Sequence, residues 1–246
     1  MTQEFQPPYV SPAAMADALK RQGFALIDAA GVARWLDAAP GELEALGAAW
    51  DRLVPDAYLK DGGRYRKRRH SCFVVDGAQV SQVPHRAHWQ PLEYNALHGG
   101  MQRWFEPMEP QQVAHPLWQR LLQRLGEAAS TLRGVQPWFV EAHPFRIDTT
   151  DGIGRPTPEG AHRDGVDLVA VFLVGRHAIK GGESRVFEAD GPAGQRFTLR
   201  EPWSLLLLDD ARVIHESTPI QPLDPQGFGW RDTLVVTCRA GGFQGD

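Results

Sequence analysis

The stretch EGAHRDGVDLVAVFLV, residues 159–174, joins the polar triplet His162-Arg163-Asp164 to an unbroken apolar run of β type. In an extended segment alternate side chains share a face, so His162 and Asp164 are expected on one side and Arg163 on the other. Two metal-type ligands would then aim at one point. A His-x-Asp triplet also arises by chance in chains of this length, so its meaning depends on what the remaining sequence brings to the same place.

Downstream, Trp203–Leu208 reads as a nearly pure apolar strand, followed by the turn Asp209-Asp210-Ala211-Arg212 and the segment RVIHESTPI, which carries His215. A 2-His-1-carboxylate facial triad needs one histidine beyond the triplet while leaving one side of the ion open, and His215, at the end of a buried strand, fits that need. The separation leaves room for the two or three strands a jelly roll places between its two metal-bearing strands. Imidazole and carboxylate without thiolate suit ferrous iron, with zinc-dependent hydrolysis as the competing chemistry. In WRDTLVVT, Arg231 and Thr233 lie two apart on an expected strand over 231–239 and share a face. An inward arginine is costly unless it meets a carboxylate. That partner is either a bound anion, held bidentately with help from the Thr233 hydroxyl, or an acidic residue of the chain itself.

Upstream the pattern is first helical. Ser11-Pro12 and AAMADALKRQ make a helix start with Ser11 able to cap it, and Gly23 ends it. Phe24–Ile27 reads as a short strand, and residues 28–39 and 41–53 as amphipathic segments in which Trp35 and Trp50 are packing residues. From 62 to 107 the chain turns to short pieces rich in Arg, His, Gly and aromatics, expected to be irregular and to cover a pocket. Its basic run, Arg64, Arg66, Lys67, Arg68 and Arg69, reads as a solvated face or a lid over a small anion, and His85 and His88 as loop or pocket histidines rather than metal ligands. A helix is expected over 117–132, then a strand over Trp138–Ile147 whose proline argues for an edge or a bulge. Lys180-Gly181-Gly182-Glu183 is a turn leading into a strand over 184–187.

Helices followed by many short strands give an α+β, mainly β chain: a sandwich or barrel with N-terminal helices buttressing one sheet. One domain over 1–246 is expected, with helical support in 1–60, a loop-rich cover in 62–107 and the β core in 136–240. A formal net charge of −4 gives no electrostatic reason to expect nucleic acid. The N-terminus lacks the basic and apolar regions of a leader, and no segment has the long uncharged stretch of a membrane span, which points to a cytoplasmic protein. Cys72 and Cys238 lie in no CxxC or zinc-finger spacing and are expected as buried thiols.

AHRDG, RVIHESTPI and the closing RDTLVV resemble motifs of the iron- and 2-oxoglutarate-dependent dioxygenases. The fuller pattern, with the RYR-type basic segment, PHRAHWQPLEYNALHGG, PEGAHRDG and KGGESRVF in order from about Arg64 to the last strand, is similar to the bacterial L-isoleucine hydroxylase-like group. The resemblance implies a double-stranded β-helix, Fe(II) held by His162, Asp164 and His215, 2-oxoglutarate anchored through its distal carboxylate by Arg231, and dioxygen as oxidant. It implies oxidative decarboxylation to succinate and carbon dioxide coupled to hydroxylation, and Asp164 speaks against the halogenating relatives, which carry a small residue at that position. Members of that group act on free aliphatic L-amino acids or on methionine sulfur, so a small zwitterion is the expected substrate. Arg146 is the first candidate for lining its pocket, with His85, Gln90 and Asn95 behind it. Two other readings stand beside this one: a metal-binding jelly-roll sensor or binding protein without turnover, and a cupin-type isomerase or hydrolase that would not need the arginine.

Overall fold

The computed structural model describes residues 5–95 and 97–245. Residues 1–4, part of the stretch read as lacking a leader, Ala96 within NALHGG, and Asp246 lie outside the described residues. The helices are α1 (Met15–Gln22), α2 (Ala29–Leu36), α3 (Glu42–Gly47), α4 (Pro110–Val113) and α5 (Pro116–Arg133). The strands are β1 (Phe24–Ile27), β2 (Val54–Pro55), β3 (Arg66–Arg68), β4 (Ser71–Asp76), β5 (Gln79–Gln82), β6 (Trp138–Asp148), β7 (Leu168–His177), β8 (Ile179–Gly181), β9 (Ser184–Glu188), β10 (Gly194–Phe197), β11 (Leu205–Asp209), β12 (Val213–Ser217), β13 (Ile220–Pro222) and β14 (Trp230–Ala240).

The chain is mainly antiparallel β, a double-stranded β-helix or jelly roll. Its major sheet runs β1-β11-β7-β14-β6-β3-β2, with β4 and β5 attached beside β3, and the minor sheets are β10-β9-β12 and β13-β8. The central strands are buried on both faces, which is why they read as apolar runs rather than alternating ones. On β11, Leu205 and Leu207 join one core while Leu206 and Leu208 join another. The first core lies against the helices, where Leu117, Trp118, Leu121, Leu122 and Leu125 of α5 meet Phe73, Val140, Leu234 and Val236. Each such side chain contributes about 1.5–3 kcal/mol on burial, far more than helix propensity does, so packing fixes α5 where it lies. The second core joins the sheets, with Leu206 and Leu208 packing on Val186, Phe197 and Val213. No helix among the described residues is long and apolar enough to cross a membrane.

Several sequence expectations need correction. The strand of the 159–174 stretch begins at Leu168, not at His162; the triplet precedes it, and His162 meets His215 in an isolated antiparallel bridge. Gly165 breaks the strand, with φ at +76° and no room for a Cβ beside the Tyr94 ring. The 62–107 segment is not wholly irregular, because it supplies β3, β4 and β5. Pro144 sits on an interior strand, opposite Leu234. It is tolerated because its other side faces the gap where β3 gives way to β4, and there its carbonyl accepts from the Arg69 amide at 3.2 Å. The Ser11 side chain makes no cap bond. Lys180 and Gly181, expected in a turn, end strand β8, and the short strands β2, β10 and β13 lie where no strand is expected from the sequence.

Candidate active site

A cavity opens between the sheets, and strand alternation selects what lines it. From β14 come Arg231, Thr233, Val235 and Thr237; from β6, Glu141, His143, Phe145 and Ile147; from β3, Arg66 and Arg68; from β12, His215 and Ser217. The odd-numbered parity of β6 turns Arg146 the other way. Its guanidinium binds Asp232 at 2.7 and 2.8 Å and Asp51 at 2.9 Å, so the expectation that it lines the pocket is overturned. His85 also lies outside this cavity, its Nε2 bonded to the Phe105 carbonyl at 2.8 Å. Gln90 and Asn95 do line it, as do Arg231 and Thr233.

At one side His162, Asp164 and His215 each offer a ligand atom within 4.8 Å of the others. His162 Nε2 stands 3.9 Å from Asp164 Oδ1, and His215 Nε2 stands 3.7 Å from Oδ2. The paired backbone bonds of the 162–215 bridge, at 2.9 and 3.1 Å, hold the two rings side by side. His162 Nδ1 donates to the Gly160 carbonyl at 2.9 Å, which leaves the Nε2 lone pair facing the gap, the tautomer a metal requires. Burial works against protonation of His162, but Asp164 and Glu159 outweigh it and raise its pKa in the metal-free protein, as expected where negative charge awaits a cation. Two imidazoles, one carboxylate and no thiolate fit ferrous iron.

Supporting groups around this cluster escaped the sequence reading. Asp210, read as part of a turn, accepts from the amides of Asp164, Gly165 and Val166 at 3.0, 2.7 and 3.1 Å and so fixes the loop that carries the carboxylate. Burial and the neighbouring Asp164 push the Asp210 carboxyl up to about 6, against the pull of those three amides. Gln244 donates to the carbonyls of Asp164 and Gly165 from the C-terminal segment. Gln90 Nε2 donates to Asp164 Oδ1 at 3.2 Å, while its Oε1 accepts from Asn95 and from Arg103, each at 3.0 Å. Two donors on one oxygen fix the orientation of the amide.

Arg231 is 3% exposed, and its Nε and Nη2 have no hydrogen-bond partner among the described residues. Burial, then the charge of Arg176, lowers it to about 10. The adjacent Asp232 is taken by Arg146. Gly182 of KGGES keeps space beside it, since a Cβ there would come within 3.4 Å of Arg231 Cδ.

A second group of four donors, His70, His88, Glu141 and His143, also lies within 4.8 Å of one another, fully buried. Most of its atoms are already engaged, although His70 Nδ1 has no hydrogen-bond partner among the described residues. His70 Nε2 and His88 Nδ1 donate to Glu141 Oε2 at 2.9 and 2.7 Å, and Arg68 Nη2 donates to His143 Nδ1 at 2.6 Å. That bond places the His143 proton on Nε2, where no lone pair is then available to a metal. With Arg68 beside it, the group is better suited to a hydrogen-bond network than to a cation site. Of the basic run, Arg66 and Arg68 face inward and buried, and Arg64 faces solvent. Arg66 is paired with Asp56 at 2.7 Å.

This fold and site define a class. The 2OG-Fe dioxygenase family model matches residues 47–237, and the chain belongs to that family: it is a 2-oxoglutarate-dependent non-haem iron dioxygenase using Fe(II), 2-oxoglutarate and dioxygen. Among solved structures it is similar to a bsmA homologue from Methylobium petroleophilum PM1, 51% identical over 99% of both chains with a TM-score of 0.92. It shares its fold with IDO from Bacillus thuringiensis, 17% identical over 98% of this chain and all of that one, TM-score 0.76. It also shares its fold with the Fe(II)/α-ketoglutarate-dependent dioxygenase TqaL, 20% identical over 95% and 88%, TM-score 0.72. No curated protein matches the chain by sequence.

Proposed function

We propose that this dioxygenase hydroxylates a free L-amino acid of the isoleucine, leucine or methionine type, with His162, Asp164 and His215 as the iron ligands and Arg231 and Thr233 as the anchor for 2-oxoglutarate. The observation that carries the site assignment is the pairing, in one cavity, of an open three-ligand cluster with a buried arginine that lacks a partner. Iron and 2-oxoglutarate supply the oxidising chemistry. The chain's own residues orient and exclude. Gly160 fixes the His162 tautomer, Gln90 and Asp210 hold the Asp164 carboxylate and its loop, and Arg231 gives a distal carboxylate two donors in a dry site, where charge-assisted hydrogen bonds are strongest. Phe145, Ile147, Val171 and Val235 line the space with apolar surface that sheds water around the reacting carbon.

The amino-acid reading is supported by the order of the motifs from the basic segment to RDTLVV and by a cavity of mixed polar and apolar lining, of a kind that suits a small polar molecule. A panel of free L-amino acids tests it through succinate release in the presence of Fe(II), 2-oxoglutarate and air. At least one aliphatic or sulfur-containing member is expected to raise the rate well above uncoupled turnover. Rates insensitive to every member would refute the substrate class while leaving the cofactor assignment standing.

A further inference from the structure

The cavity contains more buried positive charge than the 2-oxoglutarate anchor requires. Arg68 and Arg103 both line it, 3% and 2% exposed, and among the described residues neither forms an ion pair with a carboxylate. Asp56 is bonded to Arg66, and Glu141 takes its hydrogen bonds from His70 and His88. Each arginine donates through Nη2 to a neutral acceptor, Arg68 to His143 and Arg103 to Gln90, and each keeps a buried Nε with no partner. Burial, then the charge of Arg66, lowers Arg103 to about 10. Two buried cations without a directly paired carboxylate are costly, and the cost falls when an anion arrives.

Their mounting is rigid. The Arg68 guanidinium stacks between the rings of Phe105 and Phe145, 3.7 and 4.3 Å from their centroids, and that of Arg103 stands 5.9 Å from the same Phe105 ring. Planar forks held against aromatic faces suit the flat, two-oxygen geometry of a carboxylate. Arg103 is also joined to the candidate iron centre through one side chain, because Gln90 accepts from it and donates to Asp164. A ligand carboxylate seated there is within one small molecule's length of that centre.

We propose that Arg68 and Arg103 form a second anion subsite, separate from Arg231, that receives the carboxylate of the organic substrate. The subsite makes a free carboxylate a requirement for turnover and sets which carbon of the substrate reaches the metal side of the cavity. It rests on the amino-acid reading above, and its test separates the two.

The best free amino acid from the panel is compared with its carboxamide and with its decarboxylated amine. Both analogues are expected to lose roughly 30-fold or more in kcat/KM, the usual scale for breaking a buried charged contact. In Arg68→Met and Arg103→Met the preference for acid over amide should collapse, through loss of activity on the acid, whereas Arg103→Lys should retain a clear preference. A merely structural role would lower both substrates together and leave their ratio intact. Three results overturn the subsite: an amide used as well as the acid by the wild type, a preference that survives both methionine variants, or methionine variants that raise the KM for 2-oxoglutarate by the same factor as that for the amino acid. Silence from every free amino acid overturns the substrate reading and the subsite with it, whereas efficient use of the amide overturns the subsite alone.

Discussion

His215→Ala is expected to leave a folded protein that neither retains iron nor turns over 2-oxoglutarate, with activity down by more than the roughly 100-fold that loss of an outer-shell partner costs a metal site. The backbone of residue 215 keeps its two bridge bonds to His162 whatever the side chain, so the strand end stays in place. The imidazole itself is held far below its usual pKa by burial and by the neighbouring His162, and its Nδ1 has no partner, so its removal takes no ion pair or hydrogen bond from the metal-free fold. Melting temperature without metal should therefore stay close to that of the wild type while bound iron per chain falls towards zero. Iron retained at wild-type stoichiometry would move the metal elsewhere, with the buried group around Glu141 as the place to look.

Arg231→Met separates affinity for the co-substrate from affinity for the metal. Truncating one partner of a buried, hydrogen-bonded charge pair costs about 2–5 kcal/mol, so the Kd for 2-oxoglutarate should rise by roughly 30-fold to a few thousand-fold, with iron binding unchanged. The sign of the stability change is the more telling half. In the metal-free protein this guanidinium is buried without a partner for Nε or Nη2, and an isosteric apolar side chain removes an uncompensated charge. The variant should melt at the wild-type temperature or above it in buffer alone, and should lose the stabilisation that 2-oxoglutarate gives the wild type. Destabilisation in buffer together with unchanged 2-oxoglutarate affinity would make Arg231 a structural residue.

What was legible in the chain is what local rules fix. The apolar runs of β7, β11 and β14 announce doubly buried strands. The two-residue period of β14 places Arg231 and Thr233 together, and the donor types of His162, Asp164 and His215 are those a hard-to-borderline cation takes. His162 and Asp164 converge from an isolated bridge and the loop that follows it rather than from one extended strand. The basic run was half legible: alternation along β3 buries Arg66 and Arg68 and turns Lys67 the other way, whereas Arg64 precedes the strand and is exposed beside Asp151.

The far wall of the cavity was hidden because it is made by tertiary pairing. Choosing Arg146 of WFVEAHPFRI as a pocket residue left Glu141 and His143, which do line the cavity, out of the expectation. The parity of Glu141, His143, Phe145 and Ile147 was the available signal. Asp210 gave none, because an Asp-Asp turn looks the same whether its second carboxylate faces water or caps three amides of a loop more than forty residues away in the chain.

Anaerobic addition of Fe(II) and 2-oxoglutarate to metal-free wild-type protein, followed by visible absorption, tests the iron site and its co-substrate together. A weak charge-transfer band from the iron–keto acid chelate is expected, requiring both additions and absent in His215→Ala. No band in the wild type, with both components shown to be in excess, would contradict the site assignment.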